Sequence, residues 1–96
     1  MFEFKEERFK EEDWEPLFEM GEFLKISPEV NKRLGLRQIA DLVVRHLTGD
    51  YGDNEALAKP NERAIKHGED VISGYIVKGK LVMVATKGDR SCTRVF

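Results

Sequence analysis

The residues best equipped for chemistry crowd into one stretch, "VVRHLTGDYGD", Val43 to Asp53. Arg45, His46, Asp50 and Asp53 bring a guanidinium, an imidazole and two carboxylates within nine residues. His46 could act as a general base, with Asp50 and Asp53 orienting it or holding a cation. The spacing argues against a metal. A calcium loop takes more oxygen ligands at regular intervals and ends in a bidentate Glu, and Glu55 comes too early for that. Zinc would want further His or Cys, and His67 is the one other histidine. The same residue types also build turns. Gly49 can end a helix, Asp50 and Asp53 can accept hydrogen bonds from nearby backbone amides, and Gly52 can adopt left-handed backbone. Tyr51 can pack inward with its hydroxyl satisfied. Turn formation is the stronger of the two readings.

A second polar cluster lies in "KGDRSCTR". Asp89, Arg90, Ser91 and Thr93 could form a small recognition site at the start of a strand. Ser91 and Cys92 are nucleophile types, but no Ser/His/Asp or Cys/His arrangement surrounds either. A hairpin turn accounts for the stretch more simply. Lys78, Lys80, Lys87, Arg90 and Arg94 form a third group, a basic one. Tyr75 and Phe96 are the aromatics near it, too few for a base-stacking sheet, and the sequence pI of about 5.7 points the same way. Neither GxGxxG nor GxxxxGK[ST] occurs, so no phosphate loop is expected.

The elements that must position these residues follow from periodicity. "LRQIADLVVRHL" is the clearest helix, with Leu36, Ile39, Ala40, Val43, Val44 and Leu47 as its apolar stripe. Arg45 and His46 fall in its last turn, where positive charge meets the helix dipole. In "SPEVNKRLG", Ser27 caps a short helix, Pro28 opens it and Gly35 stops it. "GEFLKI" reads as a short strand with Phe23 or Leu24 inward. Residues 49–60 read as a loop, and "NERAIKHG" as a helix capped by Asn61 and ended by Gly68. The period then changes to two. "DVISGYIV", "KLVMVAT" and "SCTRVF" are strands joined by the turns "KG" and "KGDR". The expected fold is α+β: a C-terminal antiparallel meander of three strands against one main helix and short helices, with an extra N-terminal strand allowed for.

Charge divides the chain. Residues 1–22 hold nine acids and three bases, a net −6, and the remainder carries +4. Residues 1–20 are therefore read as an acidic, aromatic-rich arm and 21–96 as the single domain. Phe2 and Phe4 alternate with charges, as in a strand. Trp14, Leu17 and Phe18 are spaced like one helical turn, with Asp13 as its cap. Such aromatics imply packing, on this domain or on a second chain, and make Phe2, Phe4 and Trp14 partner-contact candidates. No apolar run nears the roughly 18–20 residues of a membrane span. The charged start "MFEFKEERFK" does not read as a signal peptide, and the lone Cys92 excludes an intrachain disulfide. A cytoplasmic setting is expected.

Three separated motifs resemble a known family. "VVRHLTGDYGD", "NERAIKHGEDVISGY" and "VMVATKGDRSCTRVF" look like small proteins of bacterial plasmids, integrated elements and phages that read RHxxGDWGD, N…A…G, SAY and DRSxTxVLLP. The likeness covers about residues 36–96. Tyr51 stands where Trp is common and Gly74 where Ala is common. Phe96 is not followed by an LPEEY-like tail, and residues 1–20 differ from the family's short N-terminus. Members are often labelled restriction-modification subunits. A methyltransferase subunit needs a cofactor-binding α/β domain far larger than 96 residues, so the label does not transfer. The resemblance implies an accessory protein of a mobile element. If it transfers site residues, they are His46, Asp50, Asp53, Asp89, Arg90, Ser91 and Thr93. Contact between the "GDYGD" loop and the "GDRS" turn, with Arg90 pairing an Asp of the loop, is then expected.

The resulting expectation is a non-enzymatic interaction protein with no catalytic residue, metal or cofactor. It would bind a host or element protein through the arm or a sheet edge, with inhibition of a host defence or regulatory system as one form of that role. A homodimer through the same surfaces is a second form of that expectation. A nucleic-acid-binding regulatory module using the basic meander is the alternative.

Overall fold

The computed structural model describes residues 16–96. They form one α+β domain in which three helices lie against a four-stranded sheet. In chain order the elements are β1 (Phe23–Ile26), α1 (Pro28–Arg33), α2 (Leu36–Leu47), a 3₁₀ turn (Glu55–Leu57), α3 (Ala58–His67), β2 (Val71–Val77), β3 (Lys80–Thr86) and β4 (Cys92–Val95). The spatial order of the strands is β1-β4-β3-β2. The expected meander is present: β2 pairs antiparallel with β3, and β3 with β4. The extra strand is β1, which pairs parallel with β4 and sets Phe23 beside Cys92 and Ile26 beside Val95.

Local sequence explains most boundaries. Ser27 Oγ accepts from the Val30 amide at 3.2 Å, and Pro28 sits where a helix needs no amide proton. Lys78 and Gly79 both have positive φ, 52° and 79°, the backbone that a two-residue hairpin demands. At the end of α2 the Asp50 amide donates to the Arg45 carbonyl at 2.9 Å across Gly49, whose φ is +97°. That is a Schellman closure, and Gly49 supplies its left-handed residue.

Several expectations need correction. Gly35 does not stop α1; Leu34 does, and Gly35 instead precedes α2, its amide donating to Gln38 Oε1 at 3.2 Å. Residues 58–60 are not loop. α3 starts at Ala58, and Pro60 is tolerated in the first turn because those amides have no helical acceptor. Asn61 is therefore inside α3 rather than at its cap. Its side chain donates to the Ile72 carbonyl at 2.7 Å and accepts from the Ile72 amide at 3.0 Å, joining helix to sheet edge. Phe23 and Leu24 are both exposed, and Ile26 is the residue of β1 that packs on the core. Leu17 and Phe18 form a bend, not a helical turn.

Phe18, assigned to the arm, is buried in the core, and the Leu17 amide donates to the Leu47 carbonyl at 2.8 Å. Packing on the body therefore begins before residue 20. The readings placed on Phe2, Phe4, Asp13 and Trp14 lie outside the described residues.

The core sits between the helices and one face of the sheet. Ile39, Leu42, Val43 and Leu47 from α2 meet Val71, Tyr75, Val82, Val84 and Val95. The buried stripe of α2 is rotated from the expected one. Leu36 and Ala40 are exposed, while Leu42 and His46 face inward. The rotation brings His46 onto the sheet.

Candidate functional site: a buried imidazole–hydroxyl chain and the loop beside it

His46 is completely buried, although it stands in the last turn of α2. It does not serve as a positive charge at the helix end. Burial, helped by the Arg90 charge, lowers its pKa to about 4, so the ring is neutral near pH 7. Its Nδ1 lies 2.6 Å from Ser73 Oγ on β2, and its Nε2 lies 2.9 Å from Thr86 Oγ1 on β3. Thr86 Oγ1 lies 2.6 Å from Thr93 Oγ1 on β4, and Thr93 donates to the Met20 carbonyl at 2.8 Å. Ser73, Thr86 and Thr93 are as fully buried as His46. One chain of hydrogen bonds thus crosses three strands and ends on the segment before β1.

The proton positions follow by elimination. A carbonyl only accepts, so the Thr93 proton goes to Met20. Thr86 must then donate to Thr93, which leaves Thr86 to accept from His46. The imidazole is therefore protonated at Nε2, and its bare Nδ1 accepts from Ser73. Every member has a partner, which removes the penalty of burying these groups. The Ser73–His46 contact has the reach of a nucleophile and its base. With both residues fully buried, no substrate reaches it, so the geometry does structural work.

The "GDYGD" loop lies apart from this chain. Asp50 pairs with Arg45, Oδ2 to Nε at 2.7 Å, and both side chains are about half exposed. The guanidinium holds the Asp50 carboxyl below the usual range, and the same contact raises the Arg45 pKa. Asp50 Oδ1 also accepts from the Gly52 amide at 3.2 Å, the expected Asx turn. Arg45 lies over the Tyr75 ring, 4.6 Å from its centroid. The Tyr75 hydroxyl donates to the Asp50 carbonyl at 2.6 Å, and burial pushes that phenol up to about 12.

The Gly74 amide donates to the Tyr51 carbonyl at 3.1 Å, and Gly52 bridges Gly74. A Cβ on Gly52 would come within 1.7 Å of the Gly74 carbonyl oxygen, and φ there is +102°. Only glycine fits this approach. Tyr51 is buried, burial raises its pKa, and Asp53 is exposed. The loop is a clasp on the β2 edge, which would otherwise present unpaired backbone. Among the described residues no group of three His, Cys, Asp or Glu side chains could hold a metal ion.

The expected link between this loop and the "GDRS" turn through Arg90 is not formed. Arg90 Nη1 donates to the Glu69 carbonyl at 2.8 Å and to that of Lys87 at 3.1 Å, and Nη2 donates to Ala64 at 3.3 Å. The guanidinium thus ties the Ala64 carbonyl in the last turn of α3 to the Glu69 carbonyl just beyond the helix and to its own turn at Lys87. Arg90 adopts φ +59° to do so and stacks over Phe18, 5.3 Å from its centroid. Asp89 accepts from the Ser91 amide at 2.9 Å, and its hydrogen bonds to the Ser91 side chain and amide lower its pKa.

Of the residues singled out in the sequence, His46 and Thr93 share the buried network, while Arg45 pairs with Asp50 and Asp89 with Ser91 outside it. Ser73, Thr86 and Phe18 complete it and were missed; the Phe18 ring meets the His46 ring edge-on at 5.1 Å. A signal was available, since Ser73 and Thr86 are hydroxyl residues at inward positions of otherwise apolar strands.

The opposite face of the sheet is built differently. Phe23, Ile76 and Leu81 are each close to 60% exposed, and Ile72 and Phe96 are also exposed. A Cβ on Gly74 would meet Met83 Sδ at 3.3 Å and Leu81 Cδ1 at 3.4 Å, so both side chains reach across that glycine. Arg94 lies over the Phe96 ring at 5.3 Å. The four strands contain no Asp or Glu, and Lys25 and Arg94, paired across β1 and β4, lie on this face. This face is apolar with a cationic fringe, and none of the described helices covers it.

No family model, no curated protein and no solved structure matches the chain. Among the described residues no helix is long and apolar enough to cross a membrane.

Proposed function

We propose that the protein is a non-enzymatic interaction module that binds another protein through the open face of its sheet. The observation that carries this reading is that face itself: Ile76 and Leu81 are exposed as a cross-strand pair, Phe96 is exposed level with Met83, and Ile72 and Phe23 are exposed farther along it, with no carboxylate in any strand. Apolar patches of this kind mark contact surfaces. The cationic fringe favours a partner segment that is apolar and carries carboxylates. The burial of His46 supports a non-catalytic role, because a general base must reach its substrate. With the motif resemblance, the reading becomes an accessory protein of a mobile element that occupies a host or element protein, as an inhibitor would.

The test compares the full chain with Ile76→Glu/Leu81→Glu in capture from host lysate. Both positions are exposed, so the double variant keeps its fold by circular dichroism. It should lose the protein that the parent chain retains; equal capture by both sinks the proposal. A second reading has one observation in its favour. Phe23 and Phe96 beside Lys25 and Arg94 offer stacking surfaces within a basic strip, which is chemistry suited to single-stranded nucleic acid. Filter binding of an oligonucleotide decides it, since true binding must weaken steeply with salt.

A further inference from the structure

The two edges of the sheet are finished differently. On β2 the outward backbone groups are taken: the Asn61 side chain holds both groups of Ile72, and the Gly74 amide donates to the Tyr51 carbonyl. β1 is the strand at the other edge. The Ser27 amide donates to the Val95 carbonyl, and along a parallel ladder alternate residues face the neighbouring strand. Phe23 and Lys25 therefore turn their amides and carbonyls toward β4, and Leu24 and Ile26 turn theirs outward. Among the described residues no strand and no loop backbone pairs with that outer side.

The side chains of β1 suit a strand with neighbours on both sides. Ile26 packs on the core, so Leu24 shares the helix side with it, and Phe23 lies on the open face. Apolar groups on both faces belong to strands inside a sheet. Yet Phe23 is 59% exposed and Leu24 39%. We propose that β1 pairs antiparallel with β1 of a second copy of this chain, joining two sheets into one of eight strands. A twofold axis perpendicular to the sheet keeps each face on its own side. With that axis at Leu24, Leu24 meets its own counterpart and exchanges both backbone bonds with it. On the open face Phe23 meets the second copy's Lys25, whose stem covers the ring and whose charge favours it. No like charges stand directly opposite. Lys25 discourages pairing with an arbitrary strand edge, and this register accommodates it. The contact is short, so the dimer is a weak one. It does not rest on the reading of the open face, but it sets two such faces side by side.

Sedimentation of the full chain tests this. The mass should rise from 11.1 kDa toward twice that value between about 5 and about 500 µM, a range suited to so small an interface. Leu24→Pro removes an outward amide that the β1–β4 ladder does not use, so it should keep the fold by circular dichroism and stay monomeric throughout. Leu24→Glu and Leu24→Lys each set like charges across the axis. Each should be monomeric alone, and the two should dimerise when mixed. This pair carries the test if Leu24→Pro disturbs folding. Ile76→Glu/Leu81→Glu should dimerise as the parent does. A parent chain that is still monomeric at the highest concentration overturns the proposal. So does a folded Leu24→Pro that dimerises, or a charge-swapped mixture that does not. Loss of the dimer in Ile76→Glu/Leu81→Glu would move the contact to the open face and equally overturn it.

Discussion

The two faces of the sheet carry their chemistry the opposite way round from a simple hydrophobic rule. The helix-covered face buries an imidazole and three hydroxyls completely, while the open face exposes Phe23, Ile76 and Leu81 by more than half. The inner polar groups are tolerated because each has a partner, from Ser73 through His46, Thr86 and Thr93 to the Met20 carbonyl. The chain also specifies structure, since only one register of β2, β3 and β4 places all three hydroxyls correctly. The outer apolar groups have no such compensation within the described residues. Stability therefore resides in the inner face, and the outer one is the proposed recognition surface.

The largest test of that assignment is His46→Ala. It strands the Ser73 and Thr86 hydroxyls in the core and opens a cavity, and together these should cost about 3–5 kcal/mol. A domain of this size has only about 5–15 kcal/mol in all. Chemical denaturation should show the midpoint collapse. A loss below ~1 kcal/mol would mean that the chain does not hold the strands together.

Acid probes the same face without mutation. In the unfolded chain His46 takes up its proton near 6.5, and in the folded protein only near pH 4. The unfolded state thus binds more protons between those values. Stability should be level above about pH 6.5, fall as pH drops through that window, and lose about 3 kcal/mol from this group by pH 4. A His46→Gln variant should remove that slope whatever its own stability. A slope that survives the substitution would place the titrating group elsewhere.

The sequence carried the meander, the main helix, its glycine closure and the short strand before it, because hydrophobic period and turn residues are local signals. It did not carry the phase of α2. Periodicity places Leu36, Ala40 and Val44 in the core stripe because they are apolar, and reads His46 as a positive charge meeting the helix dipole. What turned the helix were Ser73 and Thr86, 27 and 40 residues away, and such pairing is invisible to a window. Asn61 misled for the same reason, since its partner is the Ile72 backbone across the fold. Asp50 and Gly52 were legible because an Asx turn and a left-handed glycine are settled within a few residues.

The clasp between the faces should respond less. The Arg45–Asp50 pair is half exposed, so a double-mutant cycle with Arg45→Gln and Asp50→Asn should give about 0.2–1 kcal/mol, shrinking with salt. Tyr75→Phe removes a partly buried hydrogen bond to the Asp50 carbonyl and should cost about 1–1.5 kcal/mol, independent of salt. If the charge pair instead exceeds the hydroxyl, the loop is held electrostatically rather than by its backbone.

The smallest expected effect bears most directly on the comparison. Leu81 lies opposite Ile76 on β3 and β2, so the two make a cross-strand contact in water. Replacing Leu81 by Thr keeps strand propensity and removes only that contact, worth about 0.2–1 kcal/mol. The isolated protein should therefore unfold at nearly its original midpoint, while any complex formed through this face should weaken far more, because there the side chain leaves water entirely. Loss of ~2 kcal/mol or more from the isolated protein would show that Leu81 is already covered in the free chain. The open face would then be an internal surface, and the division between a stabilising inner side and a recognising outer side would fail.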